Sequence, residues 1–116
     1  GALALLQASA LRARFPRLEA EATLRLGHAL QRGGDPRTAR AYLERSLALR
    51  EAAEAPDSPW LAEARVGLAD CLVDLGERTL ARGLVEQAVR AQAAHNELGA
   101  HFRAPLRGVA LRLKTG

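Results

Sequence analysis

Apolar residues recur along most of the chain at spacings of three and four. This is the period of one face of an α-helix and not the alternation of a β-strand. The clearest stretches are Ala22, Leu26 and Leu30, and then Leu61, Ala64, Leu68, Leu72 and Leu75. We expect these positions to form the core faces of two helices, with the opposite faces left to solvent or a ligand.

Glycine, proline and capping residues divide this pattern into segments. At 33–36 two glycines, which can adopt the left-handed conformation that closes a helix, precede an Asp cap and a proline suited to a first helical turn. Ser58 and Pro59 repeat the cap and proline. The other breaks are Gly76, the pair Asn96 and Gly99, and residues 15–17. These signals predict six helices, near 2–14, 18–32, 36–54, 59–75, 78–95 and 100–114.

The helices repeat with a period of 42 residues. Six pairs of similar residues align at this shift: Leu26 with Leu68, Leu30 with Leu72, Gly34 with Gly76, Ala39 with Ala81, Leu43 with Val85 and Leu47 with Val89. Short connections between the helices force neighbours to run antiparallel. The sequence therefore predicts an all-α fold, an α-solenoid of stacked helical hairpins.

Residues 24–49 and 64–89 resemble the tetratricopeptide repeat. Its pattern is Leu-Gly and a large residue in the first helix, then a small Ala with a large residue four positions later in the second. The matches are Leu26-Gly27, Leu30 and Ala39 with Leu43 in one copy, and Leu68-Ala69, Leu72 and Ala81 with Val85 in the other. The small residues, Gly27, Ala69, Ala39 and Ala81, are where we expect the paired helices to approach most closely.

The resemblance implies a right-handed superhelix fragment and one repeat domain over residues 1–116. Residues 1–17 would be the second helix of a partial repeat, 18–58 and 59–99 two repeats, and 100–116 the first helix of a partial or capping repeat. The 42-residue spacing exceeds the usual 34. It is similar to the longer variety found in kinesin light chains and in repeat regions of bacterial regulatory proteins, so we expect a piece of such a protein.

Family members bind peptides on a concave surface lined by the first helix of each pair. Applied here, the resemblance makes one set of residues the candidate peptide-binding site: Glu21, Arg25, His28, Arg32, Glu63, Val66, Asp70, Val73 and Asp74. Arg25, His28 and Arg32 would bind a carboxylate or phosphate of a partner, because Arg offers such groups a bidentate fork. A protonated His28 would then tighten binding toward pH 6. Val66 and Val73 would form an apolar floor.

Two alternatives stay open at this surface. Arg25 and Arg32 can instead pair with Asp70 and Asp74 across adjacent helices, as weakly stabilising surface ion pairs do. Val66 and Val73 can pack against the next repeat. The carboxylate clamp of chaperone-binding members is not expected, because its positions are occupied by Leu24, His28, Gly67 and Pro105.

Composition narrows the function without naming a partner. The net charge is +4, but the 16 Arg residues are scattered among carboxylates, so a nucleic-acid partner is not expected. Cys71 lies between core positions and is interpreted as a buried thiol, and Trp60 as a packing anchor. No motif indicates catalysis, a cofactor or a metal, and no apolar run is long enough to span a membrane. We expect a cytoplasmic chain that is not an enzyme.

The leading hypothesis is a protein–protein interaction scaffold that binds a partner polypeptide, or another domain of its parent chain, on the concave surface. The alternative is a homo-oligomerisation element. In that case the terminal helices would pair with a second copy and bury Leu3, Leu6, Leu106, Val109 and Leu113.

Overall fold

The computed structural model describes the backbone of residues 2–95 and 100–115 and the side chains of residues 15–95 and 103–115. Within these ranges every regular element is an α-helix, which confirms the all-α fold. The helices are α1 (Ala2–Arg32), α2 (Pro36–Ala53), α3 (Pro59–Asp74), α4 (Arg78–Ala94) and α5 (Ala100–Lys114). The main helix contacts are α1 with α2, α2 with α3, α3 with α4, and α5 with both α3 and α4. This is the expected row of stacked helical hairpins.

Three of the predicted turns between helices have the local chemistry expected of them, and the break predicted at Asn96 and Gly99 lies outside the described residues. Asp35 accepts a hydrogen bond from the Thr38 amide at 3.2 Å and caps α2, and Ser58 accepts one from the Trp60 amide at 3.2 Å and caps α3. Gly34 and Gly76 have φ angles of 88° and 80°, in the left-handed region that favours glycine. These residues therefore end α1 and α3 one repeat period apart.

The break expected at 15–17 is wrong. Residues 2–14 and 18–32 belong to one continuous helix, α1, with Pro16 inside it, so the described residues form five helices. A reversal of chain direction needs a residue that can leave the helical region, and neither Phe15 nor Arg17 has positive φ. Pro16 alone removes one backbone hydrogen bond, which a helix tolerates at a cost in stability.

The core centres on α3, which lies between the α1–α2 hairpin on one side and α4 and α5 on the other. Of its predicted core residues, Leu61, Ala64, Leu68 and Leu72 are buried and Leu75 is half-buried. Ala39 and Ala81, at equivalent positions of the second helices, are both fully buried. The repeat register is therefore confirmed in the second helices.

The core face predicted for α1 is wrong. Ala22 is exposed, Leu26 is 45% exposed and Leu30 is half-buried, whereas Ala20, Leu24 and Gly27 are buried. The reason is position in the array: α3 has helices on both sides, while α1 has them on one side, so the residue equivalent to buried Leu68 stays in solvent. Gly27 does mark a close approach, because a Cβ there would lie 2.6 Å from Leu43 Cδ2.

Candidate functional site

A groove with a volume of about 990 Å³ lies between α1, α3 and α5, and α4 also contributes to it. We call it the central groove. Its lining residues are Glu21, Leu24, Arg25 and His28 of α1; Pro59, Trp60, Ala62, Glu63, Val66, Gly67 and Asp70 of α3; Ala88, Ala91 and Gln92 of α4; and Pro105, Leu106, Gly108, Val109 and Arg112 of α5. Most of these side chains are apolar or small.

The apolar part of the groove is built by close contact between α1 and α3. Leu24 and Val66 are buried in the core and also line the groove. A Cβ at Gly67 would lie 2.9 Å from His28 Cε1 and 3.2 Å from Leu24 Cδ1. The missing side chain therefore lets the two helices approach and brings their apolar residues into one surface.

Asp70 and Asp74 of α3 form ion pairs with α5 and not with the arginines of α1. The Arg112 guanidinium forms ion pairs with the carboxylates of both Asp70 and Asp74. The Gln31 amide donates to Asp70 Oδ2 at 2.9 Å and to Asp74 Oδ2 at 3.0 Å. The expected pairing of Arg25 and Arg32 with these acids is wrong, since the described partners come from elsewhere.

Arg25 is engaged on its own helix. Its Nε donates to Glu21 Oε1 at 2.9 Å, one helical turn away. The other oxygen of Glu21 accepts a hydrogen bond from Arg50 at 3.3 Å. Glu21 therefore joins an exposed arginine on the groove to a buried one on α2.

Trp60 stands on the groove, 44% exposed, and Arg50 helps to hold it there. The Arg50 guanidinium lies 5.8 Å from the ring centroid, a cation–π distance, and also bonds to Glu54 Oε1 at 3.4 Å. One aromatic ring is thus supported from α2 while it contributes to the groove surface.

His28 is half-buried against Gly67. Burial lowers the pKa of its imidazole, the nearby Arg32 lowers it further, and Asp70 raises it. The imidazole is therefore protonated less readily than that of an ordinary exposed histidine.

The structure brings together six of the nine predicted site residues on the groove: Glu21, Arg25, His28, Glu63, Val66 and Asp70. The other three, Arg32, Val73 and Asp74, are not among its lining residues. Sequence reasoning missed Trp60, Arg112 and most of α5. The signal for Arg112 was present, because it follows Asp70 by one 42-residue period.

A family model for the tetratricopeptide repeat matches residues 18–94, which is 77 of 116 residues. The chain belongs to the tetratricopeptide repeat family. Tetratricopeptide repeats are non-catalytic helical scaffolds that generally mediate protein–protein interactions. Neither curated proteins nor solved structures give a significant match to the chain.

The tetratricopeptide repeat resemblance also places the central groove where chaperone-binding members have their carboxylate clamp. All four clamp positions, Leu24, His28, Gly67 and Pro105, line it. None has the Lys or Asn chemistry of the clamp.

The described residues of this tetratricopeptide repeat chain contain no reactive cysteine, metal site or membrane-spanning helix, as their burial and spacing show. The Cys71 thiol is buried and lies 3.2 Å from the Pro36 carbonyl oxygen, and burial raises its pKa, followed in effect by Asp74 and Asp70. A thiol in this setting is a weak nucleophile. The described residues contain no group of three metal-ligating side chains and no helix long and apolar enough to cross a membrane.

Proposed function

We propose that this chain is a protein-interaction module that holds a segment of a partner polypeptide, or of another domain of its parent protein, in the central groove. One observation carries the proposal: a groove of about 990 Å³ is lined mainly by apolar residues of four helices and has an exposed tryptophan on its surface. Apolar grooves with a few polar groups are typical of binding sites, and Trp is enriched among residues that dominate binding energy.

The residues proposed to contact the partner are those that share the groove. They include the predicted Glu21, Arg25, His28, Glu63, Val66 and Asp70, together with Trp60, Gly108 and Arg112. The first hypothesis for this surface, an anion site of Arg25, His28 and Arg32, has less support, because Arg25 is bonded to Glu21 and Arg32 lies outside the groove.

The wider context belongs to the same proposal. The 42-residue period supports the kinesin-light-chain-like variety, and the resemblance of the sequence supports a bacterial regulatory parent that acts in the cytoplasm. Membership in a non-catalytic scaffold family supports a chain that is not an enzyme.

Selection from a library of random 16-residue peptides, with the whole chain as bait, tests the proposal. Enriched peptides are then titrated against Trp60→Ala and against Leu80→Ala, a matched loss of an exposed apolar side chain on α4, outside the groove. We expect Trp60→Ala to weaken binding at least tenfold and Leu80→Ala to leave it unchanged. Peptides that bind all variants equally would contradict the proposal.

Homo-oligomerisation remains the second candidate, through a different surface from the one first expected. Leu106 and Val109 are buried within the chain, so they are not available to a second copy, and Leu113 is half-buried. The side chains of Leu3 and Leu6 lie outside the described residues. The observation that favours this candidate is an exposed apolar face on α1, formed by Phe15, Leu18 and Leu26.

Light scattering over a concentration series tests the second candidate. Self-association that is lost when Leu18 and Leu26 are both changed to Gln would support it. A strict monomer at millimolar concentration would contradict it.

A further inference from the structure

Most charged side chains that line the central groove are already engaged within the chain. Glu21 accepts hydrogen bonds from Arg25 and Arg50, and Asp70 is paired with Arg112. Charge that is neutralised in this way gives little attraction to an acidic or basic partner. An uncharged, apolar contact face matches the groove best, because no partner charge is then left buried without a counterion.

Because the charged side chains of the groove are already paired within the chain, the groove favours a helical partner segment over an extended one. An extended segment brings one N–H and one C=O for every residue, and each of these groups costs free energy if it is buried without a hydrogen bond. The groove has few side chains to satisfy them, His28 and Gln92 among them, and its remaining surface is largely apolar. An α-helix satisfies its own backbone and buries only side chains, so it avoids this cost.

The glycines of the first helices indicate where such a helix would lie. At Gly27 of α1 the space of the missing side chain is taken by Leu43, and at Gly67 of α3 it is taken by His28 and Leu24. Each glycine thus admits a side chain of a neighbouring helix. At Gly108 of α5 an added Cβ would meet nothing within 4 Å, yet Gly108 lines the groove.

Glycine inside a helix is less stable than alanine, and packing among the described residues gives no compensation at Gly108. We propose, building on the function proposed above, that the central groove takes an amphipathic α-helix of a partner protein. Its contact face is uncharged and aliphatic, and it packs against the bare backbone of α5 at Gly108. Gly108 is then a specificity-determining position, because it admits the partner helix at its closest approach.

The chain offers a matched control for this position. Gly83 also lies inside a helix, α4, and an added Cβ there meets nothing within 4 Å, but Gly83 does not line the groove. Both Gly108→Ala and Gly83→Ala should raise helix stability, so both variants fold. Of the two positions, only Gly108 lines the groove.

The test uses peptides from the random library whose binding is lost in Trp60→Ala, so that they are known to occupy the groove. We expect them to become helical on binding, by circular dichroism. We expect a central proline in the peptide to abolish binding, and Gly108→Ala to weaken binding at least tenfold while Gly83→Ala has no effect. Peptides with acidic or basic contact faces should be absent from the selected set.

The outcomes separate this inference from the proposed function. Groove-dependent peptides that tolerate both the central proline and Gly108→Ala would overturn the helix assignment and leave the proposed function standing. Peptides that never depend on Trp60 would overturn both. A dimer of the chain that Gly108→Ala dissociates and Gly83→Ala preserves would overturn the assignment to a foreign partner, because the occupant would be a second copy.

Discussion

Arg112 of α5 donates hydrogen bonds to the carboxylate of Asp70 on α3 and, at 3.2 Å, to its backbone carbonyl oxygen. The two residues are 42 positions apart, which is the period of the repeat. Equivalent positions of consecutive repeats are neighbours in a stacked array. The pair therefore joins α3 to α5. The two residues occupy equivalent positions of the 42-residue period, and they can pair because one is an acid and the other an arginine.

Replacing Arg112 with Ala should lower the free energy of unfolding by about 1 kcal/mol, since the ion pairs are partly exposed and the loss is of the size typical of such pairs. The measurement is a denaturant titration followed by circular dichroism. Arg107→Ala, at an exposed position of the same helix, is the control and should have little effect. The difference between the two variants should shrink in about 1 M salt, which screens exposed charges. Equal midpoints for the two variants would show that the Arg112 contacts do not stabilise the chain.

The hydrophobic period predicted the buried residues well in helices that pack against a neighbour on both sides. The core face of α3 and the equivalence of Ala39 with Ala81 follow from the pattern, because α3 and both second helices pack against neighbours in the same way. The pattern could not show that α1 has a neighbour on one side only, which leaves Leu26 exposed. It also could not show that the chain continues straight through Pro16, since a proline permits a break and does not by itself reverse the chain.

Six of the nine residues of the predicted site lie on one groove, because the first-helix faces of a repeat array converge. Its charge pairing was not predicted, because pairing depends on side-chain reach between helices. Gln31 and Arg112 reach Asp70 and Asp74, while Arg25 bonds to Glu21 one turn away. Applying the 42-residue shift once more, from Asp70 to Arg112, would have found the main partner.

Gly27→Ala tests the close approach of α1 and α2. The new methyl carbon would lie 2.6 Å from Leu43 Cδ2, and Leu43 is fully buried, so the side chain has little room to move. We expect the free energy of unfolding to fall by about 1–3 kcal/mol, the usual cost of overpacking. In a Leu43→Ala background the same change should instead stabilise the chain, by up to about 1 kcal/mol, because only helix propensity remains. Destabilisation of the same size in both backgrounds would show that Leu43 is not the obstacle.

The lowered pKa of His28 makes stability depend on pH. The folded chain binds a proton at His28 less readily than the unfolded chain, whose histidine has a pKa of about 6.5. Above that pH both states are neutral and His28 has no effect; below it the unfolded state is protonated first, so stability falls as the pH drops. The slope from this one group cannot exceed about 1.4 kcal/mol per pH unit.

His28→Gln removes this titration, so the wild type should lose more stability than the variant between pH 7.5 and pH 5. Denaturant titrations at the two pH values measure this difference. An NMR titration that places the His28 pKa above that of an unfolded histidine would contradict the assignment.

The last prediction compares two arginines of α2 that each pair with a glutamate of α1. The Arg50 side chain is 7% exposed and bonds to Glu21, whereas the Arg45 side chain is 61% exposed and bonds to Glu19. Removing Arg50 would take the buried guanidinium from Glu54, which is itself largely buried and would keep the more exposed Arg17 as a partner. We expect Arg50→Ala to lower the free energy of unfolding by about 2 kcal/mol, the size typical of lost hydrogen bonds to charged groups, and Arg45→Ala by less than about 1 kcal/mol.

Denaturant titration measures both losses, and the fluorescence of Trp60 reports on the Arg50 contact at the groove. If the loss of the buried guanidinium beside the two acids causes the destabilisation, Arg50→Met combined with Glu21→Gln and Glu54→Gln should restore most of the stability, because no buried charge remains and the Met stem fills the space. Equal losses for Arg45→Ala and Arg50→Ala would mean that burial adds nothing to the Arg50 cluster. The support of Trp60 would then have to come from packing alone.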